Sequence, residues 1–200
     1  MGDKGEDIPS QPLMMRRRIL GYLIPGLNLP LFFWNLYQTI VHLQAGLSIG
    51  STEFMEEVLV SSMSLGLAIF IPRAFPVYES NYSLLKEGLT ISRFMKGKET
   101  LPYKSIDRAE VFMRVDESIS QESRDYAVDT SANLRKSGFK FKDYTNSEDI
   151  IVNLFVGKNI YMISPAKPKT LLKDLKRRNN KLTARIVELA KRGKRVQDLE

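Results

Sequence analysis

The 200-residue chain has room for one domain of ordinary size plus an accessory element. It has no cysteine, which excludes disulfides, thiolate chemistry, zinc ribbons and iron–sulfur clusters, and its single histidine, His42, lies in an apolar region, which removes histidine-based metal motifs and triads from the remainder. The formal charge is +7, but Ala166 to Glu200 holds twelve Lys or Arg against four Asp or Glu, so the preceding residues sum to about −1 and any anionic partner should meet the C-terminal tail.

Residues 1–18 read as a polar, basic tail ending in Arg16, Arg17 and Arg18. From Ile19 to Thr52 there are 34 residues without Asp, Glu, Lys or Arg, whereas roughly 20 apolar residues span a hydrocarbon core. Gly21, Pro25, Gly26, Asn28 and Pro30 predict an irregular or interfacial lead-in, followed by a regular span from about Leu29 to Leu47. A second apolar stretch runs from Phe54 to Pro72. Its uncharged part, Val58 to Pro72, is 15 residues, short for a lone span but sufficient as the return arm of a hairpin, with Ser61, Ser62, Ser64 and Gly66 allowing close approach of the arms. Residues 19–77 are therefore expected to form a two-helix transmembrane hairpin.

Its orientation follows from the flanks. Arg16, Arg17, Arg18 and Arg73 lie outside the arms, while the turn holds Glu53, Glu56 and Glu57, so the positive-inside rule predicts a multi-pass protein of the cell membrane with both termini cytoplasmic. A cleaved signal is the competing reading, and the apolar run is too long for one. Asn35, Gln38, His42 and Gln44 are read as groups that bond between helices, with a proton or ion path as the sharper alternative.

From Tyr78 the texture changes to short apolar alternations broken by turns. Strands are expected on either side of Glu87-Gly88, from Leu89 to Met95, after Lys96-Gly97-Lys98 through Met113, and on both sides of Gly157-Lys158, with a helix starting near Pro168. The stretch from Val115 to Ser147 is rich in charge and reads as a solvated loop. Seven acids between Asp107 and Asp129 invite a metal site, but their spacing fits no EF-hand or paired-histidine helix. Ser137 to Tyr144 alternates Phe139 and Phe141 with Lys140 and Lys142. An edge strand guarded by lysines is preferred there over a platform for single-stranded nucleic acid.

Tyr82-Ser83-Leu84 leading to Glu87-Gly88-Leu89-Thr90-Ile91, Leu101-Pro102-Tyr103-Lys104-Ser105-Ile106, and Ile163-Ser164-Pro165 followed by Pro168 and a Leu171, Leu172, Leu175 helix resemble the prokaryotic pleckstrin-homology-like (PH-like) domains that often follow transmembrane hairpins. The resemblance covers residues 78–178, and the sequence departs from the pattern at Lys167 and Leu171, where an acidic residue and an aromatic are commoner. It implies an α+β protein in which an antiparallel β barrel or sandwich is capped by a C-terminal helix and used for binding. It brings no catalytic residues and no cofactor.

Residues 179–200 are expected to continue as a basic helical tail. Leu172, Leu175, Asn179, Leu182, Ile186, Leu189, Gly193 and Val196 fall at steps of three and four, a stripe that more commonly folds back on its own domain, with Leu182, Ile186 and Leu189 as a candidate self-association seam in the sharper reading. Lys173, Lys176, Arg177, Arg178, Lys181, Arg185, Lys191, Arg192, Lys194 and Arg195 are the candidate contacts to anionic inner-leaflet lipid. The expectation is a membrane-anchored, non-catalytic binding or scaffold protein, with an accessory subunit of a larger membrane complex as the alternative. A protein partner or a second copy fits either reading, nucleic acid ranks below lipid, and no small-molecule substrate is indicated. No phosphate loop, nucleophile elbow or metal-ligand spacing supports an enzyme.

Overall fold

The computed structural model describes residues 5–115 and 120–199. The chain forms two compact units. One runs from Leu13 to Tyr78, and the other joins the segment before it to everything from Glu79 onward.

The first unit is a pair of helices, α1 (Met15–Gln44, 30 residues) and α2 (Thr52–Ala74, 23 residues), about 45 and 34 Å long at 1.5 Å per residue. Both are long and apolar enough to cross a membrane, and only 6% and 17% of their most apolar stretches are buried within the protein. Leu27, Phe33, Trp34, Leu59 and Phe70 point outward. The irregular lead-in does not form: the helix runs straight through Pro25 and Pro30. The reason is local compensation. Proline at 25 cannot donate to the Gly21 carbonyl one turn back, and the Tyr78 hydroxyl donates to that oxygen instead, at 3.1 Å. Gly21 admits the returning chain, since a Cβ there would stand 2.7 Å from the Val77 carbonyl oxygen. Ser51 caps α2 by accepting from the Phe54 amide at 3.2 Å. Of the small residues expected between the arms, Ser64 is buried, together with Ala68 one turn on and Thr39 of α1.

The second unit is a mixed α+β domain of two sheets. In the first, β1 (Glu6–Ile8), β2 (Ser80–Leu84), β3 (Gly88–Arg93) and β4 (Gly97–Pro102) are antiparallel in that order. A 3-10 turn, Tyr103–Ser105, leads into β5 (Arg108–Arg114) of the second sheet. Its other strands are β6 (Lys140–Tyr144), β7 (Ile150–Val156), β8 (Asn159–Ile163), β9 (Thr183–Ala190) and β10 (Gly193–Leu199), in the order β10-β9-β5-β7-β8-β6. The pairs β5/β9 and β6/β8 are parallel and the rest antiparallel. Both sheets are open, so the expected barrel does not close. Leu89 and Ile91 of the first sheet, Val111, Leu154 and Ile186 of the second, and Leu171, Leu172 and Leu175 of α4 (Pro168–Arg178) share one buried apolar cluster. Gly88 is a requirement of the first sheet: a Cβ there would lie 2.2 Å from the Leu101 carbonyl oxygen on the neighbouring strand.

Two further expectations are corrected. The supposed loop contains α3 (Gln121–Lys136), closed by Gly138 at φ 82° with the Gly138 and Phe139 amides donating to Arg135 O and Leu134 O. Reading by apolar periodicity missed a helix built mainly from polar residues. Of the seven acids between Asp107 and Asp129, Asp116 and Glu117 lie outside the described residues. The helical tail is replaced by the β9–β10 hairpin, because α4 stops at Arg178 and Asn179-Asn180 turn the chain into a strand rich in β-branched residues. Leu182 and Ile186 belong to the core and Leu189 is buried from a strand, so these three residues do not line a helical seam. The 182, 186, 189 spacing coexists with a 182, 184, 186 alternation, and strand pairing decides between them.

Candidate functional site

The ten expected lipid-facing cations do not share one helix. Lys173, Lys176, Arg177 and Arg178 lie on α4, with Lys181 just beyond it, whereas Lys191, Arg192, Lys194 and Arg195 surround the β9–β10 turn. These groups sit at opposite ends of the eight-residue β9, about 23 Å apart at some 3.3 Å per residue. Arg185 lies between them on β9.

Some of these charges are already engaged. Arg185 Nε is 2.7 Å from Asp198 Oδ1, Arg177 Nη2 is 3.0 Å from Asp174 Oδ1, Lys176 donates to Leu199 O at 2.8 Å, and Lys194 stands 3.8 Å above the Tyr126 ring. The side chains of Lys173, Lys181, Arg192 and Arg195 have no polar partner among the described residues.

Arg178 and Lys181 meet Lys104, which sequence reading did not single out. With Asp107, Asn179 and Asn180 they line a cavity of about 510 Å³. The frame is tied down on both sides. Asn179 Nδ2 donates to Tyr103 O at 2.9 Å and Ile106 O at 3.0 Å, its Oδ1 accepts from the Lys181 amide at 3.2 Å, and the Thr183 amide donates to Asp107 O at 3.2 Å. No local motif announces this site, because its walls are about 75 positions apart in the chain.

A second cluster, also invisible in the sequence, joins β3 and β4 to β6 and β8. The rings of Tyr144 and Tyr161 stack with centroids 6.5 Å apart. Lys96 Nζ lies 4.1 Å above the Tyr144 ring and donates to Asp143 O at 2.8 Å, while Lys142 Nζ lies 4.8 Å from the Tyr161 centroid. Glu99 is the shared acceptor, taking Lys142 Nζ and the Tyr144 hydroxyl, each at 2.8 Å. Arg93, 5% exposed, donates from Nε to Ser80 Oγ at 2.8 Å and from Nη1 to Asp143 O at 3.0 Å.

The electrostatics follow from these contacts. Burial pushes the Glu99 carboxyl up, but hydrogen bonds from Lys142, Tyr144 and Tyr161 together hold it below its ordinary value. The bond to Glu99 raises the Lys142 ammonium, whereas burial and then the nearby Arg93 lower that of Lys96. Burial, reinforced by Glu99, pushes the Tyr144 phenol up. The depressed Glu99 carboxyl contributes stability that is present above its unfolded value near 4.5 and is lost as pH falls through the lower folded value. Glu99→Gln is therefore expected to lower the melting temperature at pH 7 and to flatten its decline below pH 4.5, read by thermal unfolding at steps from about pH 3 to 7. An acid limb as steep as that of the wild type would contradict the assignment.

The fold and these sites define a class: an α+β protein in which a pair of membrane-length apolar helices interrupts a basic two-sheet domain. The chain matches no protein-family model, no curated protein and no solved structure.

Proposed function

We propose that the protein is a membrane-anchored, non-catalytic binding module of PH-like type, held at the cytoplasmic face of the cell membrane by the α1–α2 hairpin and presenting basic surface to anionic lipid. The observation that carries this reading is the pairing of β1 with β2, in register Glu6 to Leu84 and Ile8 to Tyr82. The chain leaves one strand, runs through both apolar helices and returns to the neighbouring strand, so both flanks of the hairpin must share one side of any membrane it crosses. Arg16, Arg17, Arg18 and Arg73 on those flanks, with Glu53, Glu56 and Glu57 towards the other end, favour the cytoplasm for that side.

The basic tail belongs to the same folded unit as those flanks. A cation near an anionic leaflet contributes about 1 kcal/mol, and tethering raises its effective concentration there. Arg192 and Arg195 at the β9–β10 turn are exposed and have no side-chain partner among the described residues, which leaves them available for such contact. The PH-like assignment draws support from the run of strands followed by α4 with its three buried leucines. The β9–β10 hairpin is an addition to that pattern. A binding role is favoured over catalysis because Glu99, Lys142, Tyr144 and Tyr161 satisfy one another.

The full chain tests the reading, in sealed vesicles for its topology and in nanodiscs for lipid contact. The protein has no native cysteine, so in sealed vesicles Ser48→Cys and Lys140→Cys should react with an impermeant maleimide from opposite faces of the membrane. In nanodiscs, amides of 191–195 should exchange more slowly over phosphatidylglycerol than over phosphatidylcholine, and the difference should vanish at high salt. Labelling of both sites from one face would overturn the anchor. Equal exchange over the two lipids would overturn the electrostatic contact.

A further inference from the structure

We propose that the cavity between Lys104-Asp107 and Arg178-Lys181 is a binding site for a phosphomonoester on a hydroxylated carrier. It lies at the opposite end of β9 from the basic turn, so it stands or falls independently of the contact argued above.

Size comes first. A volume of about 510 Å³ falls within the roughly 300–1,000 Å³ of small-molecule sites and leaves room for a carrier beside a phosphate. Charge comes second. Lys104, Arg178 and Lys181 share the cavity lining with one carboxylate, Asp107, and with Glu6 3.9 Å from Arg178 Nη2 the local balance is still positive, which suits an anionic phosphomonoester.

The donors are also available. The side chains of Lys104 and Lys181 have no partner among the described residues. Arg178 is only partly engaged: its guanidinium hydrogen-bonds the Tyr103 side chain and lies 5.1 Å from that ring's centroid, its Nη2 is 3.9 Å from the exposed Glu6 Oε2, and its buried Nε has no acceptor among the described residues. A guanidinium fork and two ammonium groups lining one cavity supply donors suited to phosphate oxygens. Asp107 can accept from a carrier hydroxyl.

The plainer explanation is that cations in the last turn of a helix complement its dipole. That accounts for Lys176, Arg177 and Arg178. It does not account for Lys104, which comes from the turn before β5, or for Lys181, which lies past the helix. Nor does it explain why Asn179 donates two hydrogen bonds across to the other wall, at Tyr103 O and Ile106 O.

The phosphomonoester has two sources, a soluble metabolite or a phosphatidic acid headgroup, and the test separates them. Glycerol 3-phosphate is titrated by calorimetry into the full chain in phosphatidylcholine nanodiscs. Saturable one-site binding is expected, at least tenfold weaker in Lys104→Gln/Lys181→Gln and unchanged in Arg192→Gln/Arg195→Gln, with glycerol inactive. Adding phosphatidic acid to the discs abolishes this binding if the headgroup is the occupant and leaves it intact if the ligand is soluble. Binding that is absent, or equally lost in both double variants, overturns the proposal.

Discussion

Arg93→Met is expected to destabilise the two-sheet unit by about 3 kcal/mol, lowering its melting temperature by roughly 10 °C. Arg93 is 5% exposed and ends β3 opposite Ser80 of β2. Its guanidinium bonds Ser80 Oγ at 2.8 Å, Asp143 O at 3.0 Å and Thr145 O at 3.5 Å, and lies 5.3 Å from the Tyr144 centroid, so one side chain joins the first sheet to the end of β6. Methionine keeps most of the volume and removes every donor, leaving buried acceptors short of a partner. Arg93→Lys should recover less than half of the loss, because a single ammonium cannot reach three acceptors spread along a planar fork. Thermal unfolding of the full chain in detergent, followed by tyrosine absorbance, reads the effect. A methionine variant within about 0.5 kcal/mol of the wild type would show that Arg93 is not a fastener.

The second large effect is expected at Asn146, which is fully buried. Its Oδ1 accepts from the Ser80 amide at 2.7 Å, and its Nδ2 donates to Ser80 O and Gln11 O, each at 3.0 Å. Asn146→Leu preserves size while orphaning three backbone groups, at a cost of about 2–3 kcal/mol. The loss should be uneven along the chain. The segment before α1 is also held by Gln11 N to Ser164 O at 2.9 Å and Ala166 N to Pro9 O at 2.8 Å, so it should loosen without detaching. Hydrogen exchange should therefore accelerate most at residues 6–11 and least in β3 and β7. Uniform acceleration would place the defect in global stability. No change at 6–11 would remove Asn146 from the clasp that keeps both ends of the hairpin in one domain.

Features set by neighbours close in the chain were legible in advance. Thirty-four consecutive residues without a formal charge announce an apolar arm wherever the rest of the chain goes. The turns at Glu87-Gly88, Lys96-Gly97-Lys98 and Gly157-Lys158 each carry a glycine and are followed closely by strands that begin at Gly88, Gly97 and Asn159. The Leu171, Leu172, Leu175 stripe buries its apolar face as its spacing required. Of the ten cations, the sequence established the number and the sign of the charge but not its layout.

What only the tertiary structure decided depends on partners far apart in the chain. Three residues, Glu6–Ile8, become a strand only because β2 offers an edge some 75 positions later, across both apolar helices. Thr183–Ala190 satisfies a helical and a strand pattern alike, and the free parallel edge of β5 selects the strand, dividing one expected basic helix into two patches. The tyrosine cluster draws on Lys96, Glu99, Lys142, Tyr144 and Tyr161, and the cavity on Lys104 and Lys181. None of these groups has its partner within reach of a local periodicity, since helix and strand patterns report which face a residue occupies and not which distant element will cover it.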